Sequence, residues 1–114
     1  MDISSSRPSV PVPRELSALI DDACRTLHPV AFWLFGSRAR GDEKADSDWD
    51  VLAVLPDEAP PEHLDPLATW EIRYRQDTPV TLLATTESEL QSIWGLPNTL
   101  GYDLAREGVR LVVD

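Results

Sequence analysis

Two aspartates, Asp48 and Asp50, stand at the start of the apolar run WDVLAVL, which covers residues 49–55. Residues two apart in a strand project from the same face, so both carboxylates are predicted to point toward one place. Two ionised carboxylates this close repel each other unless they share a cation or one retains a proton. Hard oxygen ligands that serve phosphate chemistry favour Mg²⁺ or Mn²⁺. The pair therefore predicts a divalent metal site.

A Gly36-Ser37 turn lies upstream of this pair and follows another apolar run, VAFWLF, at residues 30–35. Because glycine has no Cβ, the backbone N–H groups and the serine hydroxyl at such a turn can approach a phosphate oxygen. Arg38 and Arg40 follow directly and add forked cations. Either arginine could neutralise phosphate charge, and either could equally lie on a solvated loop.

The elements that must position these residues are indicated by apolar periodicity and by turn residues. Both apolar runs are short and continuous, which is typical of strands covered on both faces. The predicted elements, in chain order, are helix 14–27, strand 30–35, strand 49–55, helix 60–76, strand 79–84, helix 86–94, helix 98–107 and strand 109–113. This order, without an internal repeat, predicts an α+β (mixed α/β) fold.

The length of 114 residues bounds the chain to one compact domain. Residues 1–13 are rich in serine and proline, and the prolines forbid a regular helix, so this segment is predicted to be a flexible or extended arm. The domain proper is expected to cover residues 14–114. The single cysteine, Cys24, excludes an internal disulfide.

Ten Lys and Arg residues against 20 Asp and Glu residues give a net charge of -10. This balance argues against general DNA binding, because nucleic-acid affinity depends on neutralising phosphates. A small anion such as a nucleotide remains compatible, since a local arginine cluster and a metal ion can offset nearby carboxylates. The sequence contains neither a signal-peptide pattern nor an apolar run of the roughly 20 residues that a membrane span needs. A cytoplasmic location and no membrane partner are expected.

The motif GSRARG at residues 36–41, followed by SDWD at residues 47–50, resembles the polymerase β-like nucleotidyltransferases. Their motif is a Gly-Ser pair followed by D-x-D at a strand start. The short chain and the details of both motifs look most like the minimal nucleotidyltransferases of bacteria and archaea. Genes of that family often lie beside a HEPN-domain partner in toxin–antitoxin pairs.

The resemblance implies a polymerase β-like core, in which helices flank a short mixed sheet. It also implies transfer of a nucleoside monophosphate from an NTP, with ATP expected, to a protein or other acceptor. Gly36, Ser37 and the nearby backbone would hold the triphosphate, and Asp48 and Asp50 would hold Mg²⁺ or Mn²⁺ as catalytic ligands. The implied protein partner is a HEPN-type toxin, with this chain as its antitoxin.

The sequence departs from the family pattern at Thr81. Family members that catalyse transfer usually carry a third carboxylate on a later strand, and the run PVTLL at residues 79–83 places Thr81 at that position. A threonine hydroxyl is a poor base and a weak neutral ligand. Asp77 has the same strand parity but lies about 13 Å away along a strand, too far for simple replacement.

Three functional readings therefore stay open at this point. The chain is an active nucleotidyltransferase, or an antitoxin that acts by complex formation, or a domain that retains the fold and binds no nucleotide.

Trp33 and Trp49 are expected in the core, whereas Trp70, Tyr74 and Trp94 on predicted helices fit either the core or a partner surface.

Overall fold

The structure is a computed structural model and describes residues 7–113 of the chain. Over this range the chain forms one mixed β-sheet with helices on both faces. The strands are β1 (Ser9–Pro11), β2 (Ala31–Phe35), β3 (Trp49–Leu55), β4 (Val80–Thr86) and β5 (Val109–Val112). The α-helices are α1 (Ser17–Leu27), α2 (Ser37–Arg40), α3 (Pro66–Tyr74), α4 (Glu87–Ile93) and α5 (Leu100–Glu107). Short 3-10 turns at Arg14–Leu16 and Pro61–Leu64 precede α1 and α3.

The strands lie in the order β1-β5-β2-β3-β4, with β2 antiparallel to both of its neighbours, β5 and β3. The outer pairs, β1 with β5 and β3 with β4, are parallel. The register places Phe35 of β2 opposite Asp50 of β3, and Asp50 opposite Thr81 of β4. The predicted α+β fold class, a short mixed sheet flanked by helices, is confirmed.

Two apolar clusters, one on each face of the sheet, hold the layers together. Along β3, Val51 and Ala53 face α1 and α3, whereas Leu52 and Val54 face α4 and α5. Successive strand residues point to opposite faces, so a strand that is apolar throughout can be buried on both sides. This burial fixes the register of β3, because a shift by one residue would exchange its two faces.

Within residues 7–113, no helix combines the length and the apolar character needed to cross a membrane.

The N-terminal segment differs from the prediction, because Ser9–Pro11 forms the edge strand β1 beside β5. The Nε of Arg7 also donates to the carbonyl oxygen of Gly108 at 3.0 Å. An edge strand tolerates proline, which has no N–H to donate to a neighbour. Of the two predicted alternatives, a flexible or an extended arm, residues 9–11 are extended and pair with the sheet. The part of the predicted arm at residues 1–6 lies outside the described residues.

The predicted helix 60–76 is interrupted at Asp65, which is extended (φ -67°, ψ 133°). The residue before a proline is biased away from helical geometry, and Pro66 follows directly. The Asp65 carboxylate accepts a hydrogen bond from the N–H of Leu67 at 2.9 Å, so Asp65 caps α3. The predicted loop 37–47 contains the short helix α2, whose four residues are too few to show a period.

An ion pair between buried Asp22 and half-exposed Arg75 links the end of α3 to α1. Asp22 on α1 is 7% exposed and accepts hydrogen bonds from Nε and Nη2 of Arg75, at 2.9 and 3.0 Å. Arg75 follows the last residue of α3 and precedes the turn that leads into β4. The pair thereby helps to place β4, and with it Thr81, beside β3.

Candidate functional site

The turn after β2 lies directly against the start of β3. Gly36 has a φ of +74°, which side chains rarely adopt. A Cβ on Gly36 would overlap Oδ2 of Asp50 and stand 3.1 Å from its Cγ. Only glycine fits there, and its absent side chain makes room for the Asp50 carboxylate. The structure therefore brings the Gly-Ser turn and this carboxylate together.

Asp50 lies between a carboxylate on one side and a hydroxyl on the other. Burial raises the pKa of the Asp50 carboxyl, and the negative charge of nearby Asp48 raises it further. A hydrogen bond with the Thr81 side chain and the positive charge of Arg40 lower this pKa in part. Burial and Asp48 outweigh these two contributions, so the pKa of Asp50 is raised overall. The protein therefore stabilises the ionised form of Asp50 less well than water does. A cation at the carboxylate pair would remove this penalty.

The donor set fits a metal ion that is completed by substrate oxygens. Across residues 7–113, no group of three or more His, Cys, Asp and Glu side chains is placed to hold a metal ion. Asp48 and Asp50 are therefore the two carboxylates available to coordinate a metal ion beside this turn. Mg²⁺ is commonly bound through one or two carboxylates, with phosphate oxygens and waters as its other ligands. The pair suits a cation that arrives with a phosphate-bearing substrate.

Ser37 begins α2, directly after the glycine that contacts Asp50. The carbonyl of Gly36 accepts from the N–H groups of Ala39 and Arg40, at 3.0 and 3.1 Å. The first N–H groups of such a turn, which include that of Ser37, have no acceptor inside it. Such N–H groups and the Ser37 hydroxyl can donate hydrogen bonds to an anion.

Arg38 is engaged by the loop that leads into β3. Its Nε and Nη2 donate to the carbonyl oxygen of Ser47, at 3.3 and 3.0 Å. Its guanidinium also lies over the ring of Trp49, 4.4 Å from the ring centroid. These contacts hold both neighbours of Asp48. From the sequence, Arg38 could either neutralise phosphate charge or lie on a solvated loop. In the structure its guanidinium binds the loop that leads into β3.

Arg40 is exposed and forms ion pairs with Asp42 and with Glu107 on α5, each at 3.1 Å. Both partners are carboxylates outside the Asp48–Asp50 pair. Its charge still reaches Asp50, as the effect on the pKa of Asp50 shows. Its partners are side chains at the surface, with Asp42 exposed and Glu107 partly buried, and surface pairs of this kind are weak.

A cleft of about 340 Å³ opens beside Asp48. Asp77, which is too far along the chain to replace the third carboxylate, lines this cleft together with Asp48. Trp70 and Tyr74 of α3 also line it, and their rings stack with centroids 5.1 Å apart. Both aromatic residues lie on the surface, so the surface interpretation holds for them. In the sequence, Trp70 and Tyr74 stand four residues apart on a predicted helix. That spacing puts them on one side of the helix but does not show whether this side faces the core or the surface.

Trp33 and Trp94 behave differently from this surface pair. Trp33 is buried, as expected, and the partly buried Trp94 packs against it with ring centroids 5.4 Å apart. Trp49 is partly buried and packs against the cluster that includes α1. Trp94 therefore belongs to the core, and the exposed aromatic surface near Asp48 is made by α3.

Comparison with known proteins gives two matches. A family model described as a nucleotidyltransferase domain matches residues 16–101. A solved structure described as "Crystal structure of the toxin-antitoxin with AMP-PNP" is similar to this chain with a TM-score of 0.61 and 22% sequence identity. That similarity covers 90% of this chain and 75% of the other, and at this identity it concerns the fold. No curated protein sequence matches this one.

Proposed function

Because the chain belongs to the nucleotidyltransferase domain family, we propose that it binds an NTP with Mg²⁺ and transfers the nucleoside monophosphate to a protein acceptor. ATP is the expected nucleotide. The observation that carries this proposal is the approach of Gly36 to Asp50, which sets a phosphate-binding turn against a carboxylate pair. A turn that donates N–H groups and a pair that attracts a cation are complementary to a metal-bound triphosphate.

The residues take distinct roles in this proposal. Ser37 and the backbone N–H groups after Gly36 bind the triphosphate, while Asp48 and Asp50 hold the metal. A divalent cation bound there supplies charge neutralisation on the phosphates and lowers the pKa of the attacking hydroxyl. Arg38 positions Asp48 through the loop carbonyl of Ser47.

The transfer itself is an in-line displacement at the α-phosphorus. The acceptor hydroxyl oxygen forms a bond to the α-phosphorus, and the bond from that phosphorus to the bridging oxygen of the β-phosphate breaks. Pyrophosphate leaves with the bonding electrons. The hydroxyl proton passes to water, because Thr81 provides a hydroxyl where a carboxylate base would stand.

The acceptor in this proposal is a HEPN-type toxin, which the transfer inactivates. The resemblance of GSRARG and SDWD to minimal nucleotidyltransferases supports this partner. A fold shared with a chain of a toxin–antitoxin complex that was solved with a nucleotide analogue is consistent with it.

Labelling of the partner tests the activity. The protein is incubated with α-labelled NTPs, Mg²⁺ and the protein encoded by the neighbouring gene. We expect label from ATP on the partner, and its loss in the double variant Asp48→Asn, Asp50→Asn. Asp46→Asn makes one substitution of the same kind on the exposed loop nearby and should retain labelling. Absence of label with every NTP would contradict the transferase function.

The second candidate function is an antitoxin that acts by complex formation alone. The register that places Thr81 opposite Asp50 favours it, because a hydroxyl stands beside the pair where transfer would use a third carboxylate. In a growth assay with the toxin, this function predicts that the double variant protects cells as well as the wild type. Loss of protection in that variant, with the complex still formed, would contradict it.

A further inference from the structure

Helix α3 exposes a row of apolar side chains that no other described part of the chain covers. Leu67, Trp70 and Tyr74 are 57%, 52% and 76% exposed. Their spacing of three and four residues places them on one side of the helix, and we call them the α3 stripe. The buried residues of the helix, Thr69 and Ile72, face the protein instead. A contiguous apolar surface of this kind marks an interaction site more often than a lone exposed residue does.

The α3 stripe leads into the proposed active site. Trp70 and Tyr74 line the cleft of about 340 Å³ that Asp48 also lines. Their rings stack at an interplanar angle of 24° and present a flat aromatic surface. A molecule bound on this surface would therefore lie beside Asp48 without rearrangement of the sheet.

The end of α3 that carries this aromatic surface is held in place before anything binds. The Nε of Arg73 donates to the carbonyl oxygen of Val80 at 2.8 Å, which ties the helix to β4. Arg75 is paired with buried Asp22 on α1. Aromatic groups on a rigid support lose little entropy when they bind a partner.

The charges of the cleft select the class of partner. Asp48 and Asp77 are exposed carboxylates in it, while Arg73 carries the one positive charge among the lining residues of the described chain. The whole chain has a net charge of -10. A nucleic acid would bring phosphates toward these carboxylates, which opposes binding. Lysine and arginine side chains pair with carboxylates and lie favourably over aromatic faces.

We propose that the α3 stripe and the adjoining cleft dock a basic segment of the partner protein and present its acceptor hydroxyl to the site at Asp48 and Asp50. Cationic side chains of that segment contact Asp77 and the rings of Trp70 and Tyr74. This proposal rests on the proposed function, because the acceptor is the substrate of the transfer.

A titration followed by ¹H–¹⁵N NMR spectra tests the docking surface apart from the transfer. The probe is a short synthetic peptide in which lysine and arginine flank one tyrosine. We expect the largest shifts at the Trp70 indole and at amides of residues 66–80. The variant Trp70→Ser, Tyr74→Ser should bind the peptide more than about tenfold more weakly. Leu96→Ser, an equally exposed apolar residue on the α4–α5 connection, is the matched control and should bind as the wild type does.

Asp77→Lys provides a second variant that changes no apolar contact and should also weaken peptide binding several-fold. Four results would overturn the proposal: shifts centred elsewhere, equal binding of a peptide with glutamate in place of the basic residues, shifts at Trp70 with single-stranded RNA instead, or shifts that grow with protein concentration alone. Binding of Mg²⁺-ATP to the wild type is recorded in the same sample. If the nucleotide fails to bind while the peptide binds at α3, the proposed function fails and the docking surface stands.

Discussion

Gly36 and Asp50 approach each other so closely that a methyl group on Gly36 would overlap the Asp50 carboxylate. Gly36 directly follows β2, and Asp50 lies near the start of β3. The pairing of Phe35 with Asp50 in the sheet brings them together. In the proposed function the turn binds phosphate and the carboxylate binds a metal ion, and the two need this proximity to act on one ligand. The approach is therefore the structural basis of the proposed nucleotide site.

Gly36→Ala tests this approach. The added methyl group must displace Asp50, and the positive φ adds strain, so we expect a loss of about 2–4 kcal/mol of unfolding free energy. Gly41→Ala is the matched control, since Gly41 also has a positive φ but open space around it. It should lose only about 1 kcal/mol and keep Mg²⁺-ATP affinity, as measured by urea unfolding and calorimetry. Equal losses in both variants would show that the contact with Asp50 has no special cost.

Thr81→Asp tests the position opposite Asp50. A third carboxylate there adds a metal ligand, so Mn²⁺ affinity in the presence of an ATP analogue should rise on the order of tenfold. Without metal, the new charge should lower the unfolding free energy by about 0.5–1 kcal/mol relative to Thr81→Asn, because like charges directly opposite in a sheet repel. Calorimetry and urea unfolding measure the two effects. Unchanged affinity in Thr81→Asp would place residue 81 outside the metal site.

Arg38→Lys separates a brace from a phosphate ligand. Lysine keeps the charge but lacks the fork that reaches the Ser47 carbonyl and the flat group that covers Trp49. We expect Arg38→Lys to behave like Arg38→Ala, with faster amide exchange over residues 41–48 and weaker metal binding. Arg40→Ala, which removes only surface ion pairs, should leave the unfolding free energy little changed. Full rescue by lysine would instead assign Arg38 to the phosphates.

Asp22→Asn tests the anchor of α3. The change removes the charge from a buried group with a bidentate Arg75 partner, so the unfolding free energy should fall by about 1–3 kcal/mol. Asp21→Asn makes the same charge change at the exposed neighbouring residue and should stay within about 0.5 kcal/mol of the wild type. Thermal or urea unfolding gives both values. An unchanged unfolding free energy in Asp22→Asn would show that core packing alone fixes α3.

The sequence predicted the central strands well because their signal is local. Residues 49–55 are apolar except for Asp50 and form β3 with the same bounds, and a strand buried on both faces needs such a run. Strand β1 was missed because its partner, β5, lies about a hundred residues away along the chain. A three-residue segment with a proline carries no signal of its own for so distant a pairing. The interruption at Asp65 was readable in principle, since Pro66 follows it.

The site shows the same division between local and distant signals. The motifs predicted Asp48, Asp50 and the Gly36-Ser37 turn in one region, and the structure sets Gly36 directly against Asp50. The role of Arg38 could not be predicted, because its main acceptors are backbone carbonyls, which every residue has. The cleft lined by Asp48 and Asp77 depends on where the turn after α3 runs. That path is set by tertiary contacts such as the pair of Asp22 with Arg75.

Paramagnetic broadening by Mn²⁺ tests most directly whether Asp48, Asp50 and the Gly36-Ser37 turn form one metal–nucleotide site. ¹H–¹⁵N spectra are recorded with a non-hydrolysable ATP analogue while Mn²⁺ is added in small amounts. We predict selective loss of the amide signals of residues 36–37 and 48–50, and no such loss in the variant Asp48→Asn, Asp50→Asn. Broadening centred on another acidic segment, or unchanged broadening in that variant, would contradict the site.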